Sequence, residues 1–216
     1  MTLTTSDSHA DAPAVPALQP RSPRLVIACA LLALAVLTID LATKEWARTT
    51  LSDARLGAAP ALCDDTNGPR RPQRIAHAPR PVAGEVLSLD YAENCSAAFG
   101  LARQLPAPAR RIFLASMAIL AVVALFVALA RGHGSWAFVW GVPLVAAGAL
   151  GNMIDRLRLG YVVDFLHVHY APWDFDYPVF NVADIVIGIG VALLVIGAIR
   201  TPADDPEPES NARPLT

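Results

Sequence analysis

"LVIACALLALAVLTIDLAT", residues 25–43, carries a single charged side chain, Asp40, in a run long enough to cross a bilayer as one helix. Three further runs share that character: residues 112–130, 136–154 and 182–199. A crossing helix needs about 20 apolar residues, because without water its backbone must satisfy its own hydrogen bonds. Composition agrees, since 54% of the 216 residues are hydrophobic and only 17% are charged, too apolar for a soluble domain of this size. The expected fold is mainly α, a four-transmembrane-helix bundle. "VIAC" at 26–29 and "ALA" at 33–35 faintly mimic signal-peptide cleavage sites, but the apolar run continues past Ala35 to Ile39, so this span reads as an uncleaved anchor.

A net charge of −2 and scattered arginines exclude nucleic acid as a partner. The cysteines have no metal-type spacing. Cys29 falls in the first span, while Cys63 and Cys95 fall in the connection after it. Unpaired thiols are the expectation there, with a Cys63–Cys95 disulfide the alternative if that loop lies outside the cell.

Residues 1–23 and 201–216 are polar and Pro-rich without periodicity and read as disordered tails around a domain at 24–200. Residues 52–85, with Pro60, Pro69, Pro72, Pro79 and Pro81, read as an irregular insertion. "EVLSLDYAEN" (85–94) alternates apolar and polar residues, and "GYVVDFLHVHY" (160–170) is β-branched and aromatic, so both predict strands of a small sheet on the bundle surface. Gly148, Gly151, Gly188, Gly190 and Gly197 read as close-packing positions between helices.

Polar residues beside membrane spans are costly and need a reason. Asp40 and Lys44 end the first span, Asn152, Asp155 and Arg156 end the third, and Asn181 and Asp184 begin the fourth. In an up-down-up-down bundle these ends lie on one side, so the topology gathers them into one layer. Spacings of three and four put each set on one helix face. As bare anchors and caps, Asn181 would cap the fourth span; convergence of all the sets on one layer argues for a site.

Asp164 and Asp184 are best placed for acid–base work, one leaving the second strand and the other opening the last span. Two carboxylates in a poorly hydrated pocket share one proton, so that one can activate water while the other protonates a peptide carbonyl. A rival reading takes Asp164, His167 and His169 as metal ligands, but alternation points Asp164 away from the histidines. The expectation is no metal. Tyr161, Tyr170, Trp173 and Tyr177 read as an aromatic belt at the membrane surface.

These residues resemble the bacterial lipoprotein signal peptidases (signal peptidase II), through "DLATK" (40–44), "AENCSAAFG" (92–100), "GALGNMIDRLRLGYVVDF" (148–165) and "VFNVAD" (179–184). The resemblance covers most of residues 25–200 and implies a membrane aspartic endopeptidase with Asp164 and Asp184 as the catalytic dyad. It implies that Asp40, Lys44, Asn94, Asn152, Arg156 and Asn181 support or line the site. It further implies no cofactor, cleavage of diacylglyceryl-modified prolipoproteins before the lipidated cysteine, contact with membrane lipid, and inhibition by globomycin-type cyclic peptides. Ser96 and Ala147 stand where the family has glycine, and Ile185 where it often has serine.

The implied location is the bacterial cytoplasmic (inner) membrane, multi-pass, with cytoplasmic termini, an extracytoplasmic sheet and the active site facing the extracytoplasmic side. A bare positive-inside count points the other way. Only Arg21, Arg24, Arg131, Arg200 and Arg213 of the 17 Lys and Arg lie on the tails' side. A proton-relaying transporter would need polar groups at mid-membrane and on both sides, and a passive anchor would leave the motif asparagines without a role. The G-x-G-D signature of prepilin-type aspartic peptidases is absent.

Overall fold

The computed structural model describes residues 19–57, 72–95 and 105–200. The expected tails fall largely outside them, as do residues 58–71 of the insertion and Ser96. The long helices are α1 (Pro23–Thr50), α2 (Ala107–Ala130), α3 (Trp136–Arg158) and α4 (Val182–Arg200). All four are long and apolar enough to cross a membrane, and the chain is a multi-pass membrane protein.

Local sequence sets the helix ends. Ser22 opens α1 by accepting the Leu25 N–H, with Pro23 at the first helical position, where a missing N–H costs nothing. The helix runs on to Thr50, seven residues past the apolar run, because Glu45 and Arg48 pair at 2.6 Å on its polar last turns. Helix α2 begins at Ala107, five residues before its apolar run.

Helix α3 is the hub, packed against α1, α2 and α4. Its contact with α4 relies on missing side chains: a Cβ on Gly148 would lie 2.6 Å from the Ala183 carbonyl, and one on Gly190 would lie 2.9 Å from that of Gly141. Gly188 departs from the expectation, because nothing lies within 4 Å of its Cβ position. The outer helix faces expose Ile27, Leu31, Ile119, Leu120 and Val195, as a lipid-facing surface requires.

Strands β1 (Ser52–Ala54) and β2 (Arg74–Ala76) pair antiparallel, and β3 (Arg80–Ala83), β4 (Leu87–Asn94), β5 (Val162–Tyr170) and β6 (Phe175–Phe180) form a second antiparallel sheet in that order. The two predicted strands are the inner pair, β4 and β5. The insertion at 52–85, expected to be irregular, contains β1, β2 and β3. Polar side chains hold it: Glu93 accepts the backbone N–H groups of Gln73 (2.7 Å) and Arg74 (3.2 Å), and Arg74 Nε donates to Ser52 Oγ at 2.8 Å. Such long-range clamps leave no period in the sequence, and Pro81 is tolerated because β3 is an edge strand.

A buried cluster of Ala47, Leu51, Tyr91, Tyr161, Val163 and Phe165 joins the end of α1 to the sheet. Tyr161 belongs to this core rather than to a surface belt: it is 3% exposed and its hydroxyl meets that of Tyr91 at 3.4 Å. Cys29 is a buried free thiol. Cys95 is disulfide-bonded, against the expectation of unpaired thiols; Cys63 lies outside the described residues.

Candidate active site

The site forms where the sheet meets the helix ends. Asp164 sits on β5 opposite Ala92 of β4 and is 2% exposed. Its Oδ1 accepts the Asn181 amide at 2.6 Å and its Oδ2 the Asn94 amide at 3.0 Å. Asp184 lies in the first turn of α4 and is exposed.

Asn181 and Asp184 form a reciprocal helix cap. The Asp184 N–H donates to Asn181 Oδ1 at 3.1 Å, and the Asn181 N–H donates to Asp184 Oδ2 at 3.2 Å. With its carbonyl so used, the Asn181 amide must present NH2 to Asp164. One side chain therefore ties both aspartates to the start of α4.

Behind this pair stands a buried polar network. Lys44 Nζ lies 2.8 Å from Asp40 Oδ2 and 3.7 Å from Asp155 Oδ2, and it donates to Asn152 Oδ1 at 2.7 Å. Asn152 Nδ2 in turn donates to Asp184 Oδ1 at 3.0 Å. Asp40 Oδ1 accepts the Ala183 N–H at 2.8 Å, and Asp155 Oδ2 accepts the Val163 N–H at 3.1 Å. These carboxylates fasten α1 and α3 to the two segments that carry the dyad candidates.

Asp164 and Asp184 line one cleft of about 640 Å³ with Asn94, Asn152 and Arg156. Arg156 interacts electrostatically with both aspartates and donates from Nη1 to the Asn152 carbonyl at 3.1 Å. The remaining wall is largely apolar, with Leu114 and Ala118 from α2, Ile187 from α4, and Val179 and Phe180 from β6. Burial pushes the Asp164 carboxyl up to about 7; the Asn94 bond opposes this and the Asp184 charge adds to it.

All the expected site residues thus fall in one connected region, Asp40 and Lys44 behind the cleft and the rest on its wall or bonded to it. The histidines do not join them: His167 Nε2 meets Asp176 Oδ1 at 2.6 Å and His169 Nδ1 lies 3.6 Å from the same oxygen. Tyr177 is half exposed and lines the cleft beside Pro178. Sequence reasoning missed the contribution of α2 and β6, because Leu114 and Ala118 look like any other apolar residues of a span.

Residues 32–200 match the family model described as Signal peptidase (SPase) II. The chain belongs to the signal peptidase II family. Curated members similar to it include the lipoprotein signal peptidase of Syntrophus aciditrophicus, 36% identical over 57% of this chain and 76% of that one. The lipoprotein signal peptidase of Halothermothrix orenii is 37% identical over 54% of this chain and 72% of its own. A solved bacterial membrane enzyme shares the fold at a TM-score of 0.62 and 24% identity, covering 89% of this chain and 98% of that chain. As a signal peptidase II this chain is a protease of the aspartic class, and the aspartates of its cleft are the groups whose chemistry must be explained.

Proposed function

We propose that this chain removes signal peptides from diacylglyceryl-modified prolipoproteins, cutting before the lipidated cysteine with Asp164 and Asp184 as the catalytic dyad. The observation that carries the reading is the joint placement of both aspartates in a cleft whose other wall is apolar helix surface. A peptide bond can lie against the carboxyls while acyl chains stay beside Leu114, Ala118 and Ile187.

In the proposed reaction the ionised carboxylate takes a proton from water as its oxygen attacks the scissile carbonyl carbon, and the protonated carboxyl gives its proton to the carbonyl oxygen. A tetrahedral diol results. As it collapses, one diol hydroxyl returns its proton to the carboxylate that had protonated the carbonyl, the C–N bond breaks, and the proton held by the water-activating carboxylate passes to the leaving nitrogen. Asn94, Asn152 and Asn181 fix the carboxyls in place.

The reading places this end of the bundle on the extracytoplasmic side of a bacterial cytoplasmic membrane. The Cys95 disulfide supports that side, because it adjoins Asn94 and disulfides persist in oxidising compartments.

The test is a mobility-shift assay with purified protein in detergent and a diacylglyceryl-prolipoprotein, with and without globomycin. Cleavage is expected in wild type, insensitive to EDTA, and absent from Asp164→Asn and from Asp184→Asn. Near-wild-type turnover by either variant sinks the dyad. Loss in EDTA restored by zinc would instead favour metal chemistry.

A further inference from the structure

The dyad reading requires one protonated and one ionised carboxylate without saying which is which, and the inference rests on that reading. We propose that Lys44 is a positioning residue which, through Asn152, holds Asp184 as the ionised, water-activating partner and leaves the shared proton on Asp164.

An ammonium group can only donate. Lys44 is 2% exposed and donates to Asn152 Oδ1 at 2.7 Å, an oxygen that the Asn181 amide also approaches at 3.3 Å. Turning the Asn152 amide around would set its NH2 group against the ammonium. Its Nδ2 is therefore committed to Asp184 Oδ1, as observed at 3.0 Å. The other Asp184 oxygen accepts a backbone N–H, from Asn181, which cannot be reversed. Each oxygen of Asp184 thus faces a fixed donor, one of them polarised by a cation behind it, and the carboxyl lies in the first turn of α4, where the helix field favours negative charge.

Asp164 also receives two donors, but both are side-chain amides, from Asn94 and Asn181, and it belongs to a strand. It is buried, whereas Asp184 opens to the cleft. The charged form is costlier on the buried member, and the Asp164 affinity for its proton, raised to about pH 7, agrees. Among the described residues, the charged groups facing Asp184 are Asp164 from β5 and Arg156 from α3, while α2 presents Leu114 and Ala118 to the cleft. Arg156 acts on both carboxylates and so does not choose between them. Lys44 also acts on Asp164 through space, as the last of the influences on it, but its hydrogen-bonded path through the Asn152 amide ends on Asp184.

Infrared difference spectra of the detergent-solubilised protein at about pH 5 locate the proton directly. The band of a protonated carboxyl should persist in Asp184→Asn and vanish in Asp164→Asn; the reverse pattern overturns the assignment. The pH–rate profile tests the relay. Asp40→Asn with Lys44→Met keeps an acceptor for the Ala183 N–H and removes the ammonium. It should lower kcat about tenfold or more, leave KM within a few-fold, and move the acid-side loss of activity upward by about one pH unit.

Should that pair not fold, Asn152→Leu has a similar shape with no polar atoms and leaves Lys44 its pairs with Asp40 and Asp155. It must show the same displaced acid limb. An unmoved limb in the variant that folds overturns the relay. Near-wild-type cleavage by either single asparagine variant of the dyad would defeat the dyad reading itself, whereas dead variants with the proton on Asp184 defeat only this inference.

Discussion

Lys44 and Asp40 form a buried ion pair one helical turn apart, with Nζ 2.8 Å from Oδ2 and side chains 2% and 0% exposed. Exposed i, i+4 pairs contribute about 0.2–1 kcal/mol, but breaking a buried pair leaves an uncompensated charge and costs about 3–5 kcal/mol. Lys44→Ala is therefore expected to lower the melting temperature in detergent by about 6–20 °C and to reduce cleavage with it. Asp40→Asn combined with Lys44→Met should recover much of the stability, since no lone carboxylate remains at position 40. Dead protein with an unchanged melting temperature would show that the ion pair does not stabilise the fold and that Lys44 serves cleavage alone.

The proton on Asp164 gives stability a pH dependence of known sign. Its folded-state affinity, raised from 3.8 to about 7, means that the native state binds a proton the unfolded chain has released. This contribution is fully present below about pH 4 and is lost as pH rises towards 7. Its full size is on the order of 4 kcal/mol, at 1.36 kcal/mol per tenfold change in proton affinity. Asp164→Asn carries no such proton, so its melting temperature should gain on wild type between pH 4 and pH 8. A constant difference across that range would rule the account out. Cleavage by wild type should fall on the alkaline side near pH 7, where Asp164 can no longer donate.

Asn181 separates support of the helix from support of the acid. Asn181→Asp keeps an oxygen for the Asp184 N–H, so α4 stays capped, yet it sets a carboxylate where an NH2 group lies 2.6 Å from Asp164. It should fold and lose cleavage. Asn181→Ala loses both roles, and the missing cap alone costs about 1 kcal/mol. Equal melting temperatures for the two variants would show that the cap contributes nothing.

The dyad candidates, the polar layer and the four spans were legible because each rests on a local signal: an apolar run, a charge beside it, or spacings of three and four. Strands β1 to β3 were not, since Glu93 clamps residues some 20 positions away. Tyr161 was misread for a related reason. An aromatic residue after a span looks like an interfacial anchor until its partner Tyr91, 70 residues distant, is seen beside it. Gly151 was read correctly as a close-packing position, but the sequence could not say that its neighbour is the carboxylate of Asp40.

That neighbour makes Gly151 and Gly188 a matched test of helix packing. A Cβ on Gly151 would collide with Asp40 Oδ2 and lie 3.1 Å from Asp40 Cγ, so a methyl group there must push α1 away from α3. The displacement reaches the Asp40 bond to the Ala183 N–H, which fixes the start of α4 one residue before Asp184. Overpacking of this kind costs about 1–3 kcal/mol, against a gain of about 1 kcal/mol for replacing glycine within a helix. Gly188→Ala has the gain without the collision, because its Cβ would meet nothing within 4 Å. Gly151→Ala is expected to melt lower than wild type and to cut at least several-fold more slowly, while Gly188→Ala melts at or above wild type with unchanged cleavage. If both alanines behave alike, the contact between α1 and α3 at Asp40 does not position the dyad.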